Sequence, residues 1–407
     1  MDTATVMQVL KLTAVFAALL LSLRAGLKLT KSMLVTIAAT ILIYFISPKE
    51  VVVIWLRATT SFSTISLVLI LYLITFLQRM LEDRAQLRLA QQNLNGLFNN
   101  RRLNVTLAPI FIGLLPSAAA AIICGQIVKD TVGDDLNSEE QAFVTSYFRH
   151  IPESFLPTYA AIIMMCELSG VRPGSFVLGM LPLEILLFAL GYRFYIRRIP
   201  KETGLPPSGN KPMEAVGLFV HLWSILSIIV LIIAFDWTVL AAVAAVTFLC
   251  IPVYKYTPRT AVPLLRSAFE PPMLLNTYLI MVFKDFIMHT GAVEALPDFF
   301  TNLPVPTFLV FALIFFFGTV VAGAQAIIAI CTLMAFAAIP GSGMPLMVLL
   351  MSFAYAAMQI SPTHICLFII ADYFDVPMMS LVRRAIPIIV IFCVITIPYY
   401  LVLVHFM

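Results

Sequence analysis

Charge is what this 407-residue sequence has least of. Asp, Glu, Lys and Arg make up 11% of it, as 25 Lys+Arg against 21 Asp+Glu with a formal net charge of +4, while 61% is apolar. A soluble domain carries about 25% charged and roughly 45–50% apolar residues. The composition therefore excludes a cytosolic globular protein, a disordered chain and a nucleic-acid binder. Cysteine is scarce too. The six, at 124, 166, 250, 331, 366 and 393, all fall in apolar stretches, which argues against a disulfide framework. Enzyme signatures are missing. No glycine-rich phosphate loop ends in Gly-Lys-Ser/Thr, His150-Ile151-Pro152-Glu153 is not the His-Glu-x-x-His zinc pattern, and no Cys/His cluster has zinc-site spacing. Neither an enzyme nor a resident metal or cofactor is expected.

What the chain does have is a succession of apolar runs near the 20 residues of a membrane-crossing helix. Ten are expected to span, at about 6–23, 31–47, 62–82, 139–169, 175–196, 213–234, 237–254, 271–289, 344–374 and 385–404. Two more, about 105–129 and 307–338, are interrupted near their middles by Gly113-Leu114-Leu115-Pro116-Ser117-Ala118-Ala119 and by Gly318-Thr319-Val320-Val321-Ala322-Gly323-Ala324-Gln325. With both as re-entrant hairpins, 19 of the Lys and Arg residues collect on one side. Only Lys49, Arg57 and Arg172 lie on the other, and Lys11, Arg149 and Lys284 fall inside spans. The positive-inside rule makes the rich side cytoplasmic and both termini external, in a cell (inner) membrane. The first run is followed at once by Arg24 and reads as a retained span, not a cleaved signal. Segment 83–104 is polar with spaced leucines and suits a helix along the cytoplasmic surface. The breaker-rich linker 199–212 divides the chain nearly in half.

The halves match at a shift of 205. Gly113 meets Gly318, Pro157-Thr158 meets Pro362-Thr363, Glu167 meets Asp372, Ser175 meets Ser380 and Pro182 meets Pro387. Each half holds five spans, an odd number, so equivalent halves sit inverted in the bilayer. Inverted repeats with broken helices are an architecture of secondary transporters. The fold expected is an all-α polytopic membrane protein of two inverted repeats (1–198 and 213–407), each with five spans, one re-entrant hairpin and one broken helix.

Pro157-Thr158 and Ser361-Pro362-Thr363 interrupt long apolar runs. Proline removes a donor and disfavours helix in the residue before it, and backbone freed in lipid persists only where protein or a water-filled cavity surrounds it. Two such breaks, each beside a hairpin, place half-helix ends near the midplane, where N-termini favour an anion and carbonyls and hydroxyls favour Na⁺ or a proton-carrying water. Ser117, Thr158, Ser361 and Thr363 are the expected substrate and ion contacts. Arg149 and Glu153 stand i,i+4 and His150 and Glu153 i,i+3, on a helix expected to start with a capping box at Ser138-Glu139-Glu140-Gln141. Ionisable residues at that depth are costly and usually face a cavity. Arg149 would hold an anion and His150 or Glu153 would couple protons; the structural alternative is a pair that neutralises itself. Glu184 is a third proton-coupling candidate or a packed neutral carboxyl. His364 either lines the site or satisfies carbonyls freed by the break.

Phe148-Arg149-His150-Ile151-Pro152-Glu153 with Leu156-Pro157-Thr158-Tyr159, and Ile360-Ser361-Pro362-Thr363-His364-Ile365-Cys366-Leu367 with Ala371-Asp372-Tyr373-Phe374, resemble signatures of an uncharacterised integral-membrane family, a domain of unknown function grouped with the ion transporter superfamily. That superfamily includes divalent-anion/sodium symporters, gluconate and citrate permeases and the membrane subunits of TRAP transporters. The resemblance covers nearly the whole chain. It implies an elevator mechanism in which hairpins and broken helices move against a scaffold, as a homodimer. Sodium/dicarboxylate relatives carry Ser-Asn-Thr at their hairpin tips; the tips here, Pro116-Ser117-Ala118-Ala119 and Ala322-Gly323-Ala324-Gln325, do not. The function expected is secondary active transport of a small organic anion, a carboxylate, coupled to Na⁺ or H⁺. A cation/proton antiporter and a membrane subunit that needs a partner protein are the alternatives.

Overall fold

A computed structural model of the chain describes residues 3–114, 118–202, 209–301, 304–361 and 364–406, and contains no strand among them. The first half holds α1 (Thr3–Arg24), α2 (Leu29–Ile43), α3 (Pro48–Thr60), α4 (Phe62–Asp83), α5 (Gln86–Phe98), α6 (Arg101–Ile112), α7 (Ala118–Val132), α8 (Ser138–His150), α9 (Ala160–Ser169) and α10 (Pro173–Phe194). The second holds α11 (Lys211–Ile233), α12 (Val239–Val253), α13 (Pro258–Ser267), α14 (Pro271–His289), α15 (Leu296–Thr301), α16 (Thr307–Ala322), α17 (Ala324–Ala338), α18 (Gly343–Met358), α19 (Ile365–Tyr373) and α20 (Met378–Phe406). Ser138, Ala160 and Pro173 begin α8, α9 and α10; Gly343, Ile365 and Met378, each 205 residues later, begin α18, α19 and α20.

Among the described residues, five helices, α1, α4, α10, α11 and α20, are long and apolar enough to cross a bilayer unaided, as a membrane protein requires. The runs expected as spans at 31–47 and 237–254 are the 15-residue helices α2 and α12. At 1.5 Å per residue such a helix covers about 22 Å, less than the hydrocarbon core of about 30 Å. The last span starts earlier than its apolar run, at Met378 rather than 385.

Local chemistry sets several boundaries that hydropathy does not show. Ser47 caps α3 through a reciprocal box: its hydroxyl accepts from the Glu50 amide at 3.4 Å, and its own amide donates to Glu50 Oε2 at 2.9 Å. The Ser47 side chain and the Ser47 amide, both directed at the carboxyl, hold the exposed Glu50 below the usual carboxylate range. Thr257 and Pro258 open α13 in the same way. The polar segment after α4 is two helices, not one. Asn99 (φ 40) ends α5, and the Asn100 side chain accepts from the amides of Arg102 and Leu103 to start α6 at Arg101, four residues before the apolar run. The cap of α8 is Asn137 rather than Ser138. Its side chain accepts from the Glu140 amide at 3.0 Å, and its amide donates to Glu140 Oε2 at 3.2 Å. Ser138 begins the acidic run, but the reciprocal geometry needs Glu140 at the third helical position, which makes Asn137 the cap.

The interrupted stretches fold back on themselves. α16 and α17 pack side by side around Gly323, whose φ of +83° and ψ of 154° lie in a region essentially open to glycine alone. α6 and α7 likewise pack on each other; the intervening residues 115–117, Ser117 included, lie outside the described residues. The two proline-marked runs are broken: α8 passes through a 3-10 turn (Ile151–Ser154) before α9, and α18 ends at Met358, six residues ahead of His364, the cap of α19. Packing is paired across the halves. α6, α7 and α20 pack on α8, as α16, α17 and α10 pack on α18; α7 packs on α19 as α17 packs on α9. Around this body, α2, α3 and α4 pack on α14, α4 on α12, and α5 along α11, where Asn93 Nδ2 donates to Glu214 Oε2 at 2.8 Å.

Candidate functional site

The two breaks and the second hairpin, facing α4 and the starts of α2 and α14, line a cavity of about 600 Å³, within the range of small-ligand sites. Three helix N-termini form much of its wall: Thr158, Tyr159, Ala160 and Ala161 at the start of α9; Gly323, Ala324, Gln325 and Ala326 at the start of α17; Ser361, His364, Ile365 and Cys366 at the start of α19. None of the three has a side-chain cap. The first amides of a helix have no intrahelical acceptor, and the summed peptide dipoles give that end a partial positive charge. Three such ends on one wall make a surface for negative charge.

Arg149 adds a full charge. It stands in the last turn of α8, is 1% exposed, and reaches the cavity. Its Nη1 lies 3.1 Å from Glu153 Oε1, 3.0 Å from His150 Nε2 and 3.8 Å from Cys366 Sγ. The i,i+4 pairing expected of Arg149 and Glu153 is present. His150 lies 3.9 Å from Glu153 Oε1, but both its ring nitrogens are engaged, Nε2 by Arg149 and Nδ1 at 2.6 Å from the Ser146 carbonyl oxygen. With Nδ1–H donating to that carbonyl, Nε2 is left as the acceptor for the guanidinium. His364 packs edge-on against His150, ring centroids 4.6 Å apart, and places Nδ1 3.1 Å from the Met358 carbonyl oxygen. It thus lines the cavity and satisfies a carbonyl freed by the break, joining the two roles open to it in the sequence.

Hydroxyls tie each break to a hairpin. Tyr159 donates to the Gly113 carbonyl of the first hairpin, and Ser361 Oγ donates to the Val320 carbonyl of the second at 3.0 Å. A Cβ at Gly113 would collide with the Arg149 carbonyl oxygen, so glycine there lets α6 close on α8. Two further hydroxyls on the cavity wall, Thr158 Oγ1 and Thr319 Oγ1, are buried with no hydrogen-bond partner. Buried hydroxyls without partners are costly, and a bound ligand or ion would satisfy these.

Of the residues singled out from sequence, the structure therefore gathers Arg149, Glu153, Thr158, Ser361 and His364 on one cavity, with His150 directly behind Arg149. Thr363 lies outside the described residues, as does Ser117. Glu184 is not on the cavity wall; it is buried in α10 with Ser154. Thr319, Tyr159, Cys366 and Gln325 also line the cavity; nothing in their spacing marks them as site residues, although the Gly-Thr of 318–319 marks the second hairpin. His150, His364 and Cys366 hold their ligand atoms within 4.8 Å of one another, as a soft divalent metal would need. The guanidinium already bonded to His150 opposes a cation there. The lining also takes in Leu29, Gln78, Glu270 and Met273; Leu29 and Gln78 are next in sequence to Lys28 and Arg79, and Arg79 pairs with Glu270 at 2.8 Å.

A family model described as a protein of unknown function (DUF401) matches residues 8–403, and the chain belongs to that family. No curated protein matches it.

Proposed function

We propose that this member of a family of unknown function is a secondary active transporter, of the ion transporter superfamily, that carries a small carboxylate-bearing anion coupled to Na⁺ or H⁺. One observation carries the reading: three uncapped helix N-termini and the buried Arg149 converge on one cavity. Such a wall favours an anion over a cation, which ranks the symporter above the cation/proton antiporter. The orphaned hydroxyls of Thr158 and Thr319 and the hydroxyl of Ser361 supply directional contacts for carboxylate oxygens or a coupling ion.

An elevator mechanism is part of the proposal. The 205-residue offset between α8–α10 and α18–α20, and the cross-half packing of α7 on α19 and α17 on α9, support two inverted repeats of 1–198 and 213–407 joined by 199–212. In this reading α6–α10 and α16–α20 form the moving body, and α1, α2, α4, α11, α12 and α14 a scaffold through which two copies associate. With the basic side cytoplasmic and both termini external in a cell membrane, the cavity opens inward. A membrane subunit dependent on a partner protein is the competing reading.

The test is thermal unfolding of the purified protein in detergent with acetate, succinate and citrate, in NaCl and in choline chloride, at two pH values. A ligand at 100 times its Kd stabilises by about 2.7 kcal/mol. Stabilisation by one anion identifies the substrate class, and its dependence on Na⁺ or pH identifies the coupling ion. Stabilisation by Na⁺ or pH with no response to any anion refutes the symporter in favour of the antiporter. No response at all favours the partner-dependent subunit.

A further inference from the structure

Behind the cavity, the 3-10 turn Ile151–Ser154 presents two consecutive residues in two directions. Glu153 lines the cavity and pairs with Arg149. Ser154, fully buried, faces α10 and places Oγ 2.7 Å from Glu184 Oε1. The same Oγ lies 2.5 Å from the Ile151 carbonyl oxygen. A hydroxyl carries one hydrogen, and a carbonyl oxygen carries none. If Ser154 donates to Ile151, the contact with Glu184 requires a proton on the carboxyl. If Glu184 is ionised, Ser154 must turn its hydrogen to the carboxylate, and the Ile151 carbonyl loses that donor. Both contacts are hydrogen bonds only when Glu184 is protonated.

The surroundings agree. Glu184 is 7% exposed, and its Oε2 is buried with no partner; as half of a carboxylate, that oxygen would be an uncompensated buried charge. The titratable groups facing it are Tyr147 of α8, whose hydroxyl donates to the Leu187 carbonyl at 2.6 Å, and Tyr355 of α18, whose hydroxyl is buried without a partner. Among the described residues no Lys, Arg or His pairs with Glu184. The helices α9, α11 and α20, which also pack on α10, bring no charged group to it.

We propose that Glu184 is a proton-binding site separate from the anion cavity, and that the turn Ile151–Ser154 links the two. A proton taken from solution sits on the Glu184 carboxyl, which donates to Ser154 while Ser154 donates to Ile151. Its release turns the Ser154 hydroxyl toward the carboxylate, frees the Ile151 carbonyl, and so loosens the turn that holds Glu153 against Arg149. The linkage rests on the transporter reading above, whereas the protonation does not.

The experiment is infrared spectroscopy of the full chain in lipid vesicles during a pH titration, with Glu184→Gln, Glu153→Gln and Ser154→Ala beside the wild type. The expected result is a protonated-carboxyl C=O band at neutral pH that is present in the wild type and in Glu153→Gln and lost in Glu184→Gln. In Ser154→Ala the band persists but moves, because the carboxyl has lost its acceptor. A wild type without the band, a band that survives in Glu184→Gln, or a band unmoved in Ser154→Ala overturns the assignment. So does a band that disappears on adding NaCl at constant pH, which would give the site to Na⁺. Thermal unfolding with acetate, succinate and citrate separates the two proposals. Anion stabilisation that rises with rising pH in the wild type, as Glu153 is loosened from Arg149, and becomes pH-independent in Glu184→Gln supports the linkage. Equal pH dependence in both overturns the linkage, and absence of anion stabilisation in the wild type refutes the cavity reading while leaving the infrared result standing.

Discussion

Replacing Glu153 by Gln sets stability against ligand binding in one measurement. Arg149 is 1% exposed, and Glu153, 3.1 Å away and 12% exposed, is its carboxylate partner. At an effective dielectric of about 20 their attraction is of order 5 kcal/mol, much of it offset by the desolvation of both ions. Removing one partner of such a pair leaves a buried charge and costs about 3–5 kcal/mol. Gln keeps a hydrogen-bond acceptor, and the cavity admits water beside Glu153, so about 2–3 kcal/mol is expected for the empty protein. In the presence of the right anion the order changes. The anion replaces the missing negative charge, and saturation to 100 times Kd returns about 2.7 kcal/mol. Glu153→Gln should therefore unfold well below the wild type in zwitterionic low-salt buffer and close to it with saturating carboxylate. Its anion affinity should rise, because Glu153 no longer competes for Arg149. Unfolding can be followed with a thiol-reactive dye, since all six cysteines are free and four of them are buried. A variant as stable as the wild type without anion, or one stabilised by no anion that stabilises the wild type, would refute the argument that Arg149 needs a negative partner and that the cavity supplies one.

Thr158→Val should leave thermal stability unchanged or slightly raised, since Thr158 Oγ1 is buried without a partner, yet abolish vesicle uptake of the identified anion; combined with Thr363→Val, retained uptake would remove both residues from the site. Gly323→Ala should lower stability by about 1–3 kcal/mol in thermal unfolding, because alanine strains at φ +83°, ψ 154°. Gly113→Ala should be at least as damaging and should weaken anion stabilisation as well, because the added methyl meets the Arg149 carbonyl oxygen. Cys366 lines the cavity while Cys124, Cys250 and Cys331 are buried, so a charged thiol reagent should label Cys366 ahead of those three. The identified anion should slow that labelling, and labelling indifferent to it would place the anion elsewhere.

Much of the architecture was legible because lipid leaves a chain few options. Apolar run length marks spans, and a proline inside such a run marks a break that protein or water must surround, as found on either side of Thr158 and ahead of His364. The helices α3 and α13 were not legible. They are short and amphipathic, and they are set by Ser47–Glu50 and Thr257–Thr260 capping rather than by hydropathy. Capping also shifted the starts of α6 and α8, where a side chain's reach to a particular amide decides and composition is silent.

The sequence by itself determined that this is a membrane protein of this family, where its helices break, and that Arg149 and Glu153, four residues apart, can pair. Those facts follow from local spacing along one chain. Only the tertiary structure decided which distant groups meet: Gly323 and Thr319 with Thr158 and Ser361 on one cavity, Tyr159 with Gly113, Arg149 with Cys366, and Ser154 with Glu184 away from the cavity rather than in it. Each of these joins elements separated by tens to hundreds of residues. No local period encodes such a meeting, because it is set by how helices pack and by which buried hydroxyls and charges that packing leaves to find one another.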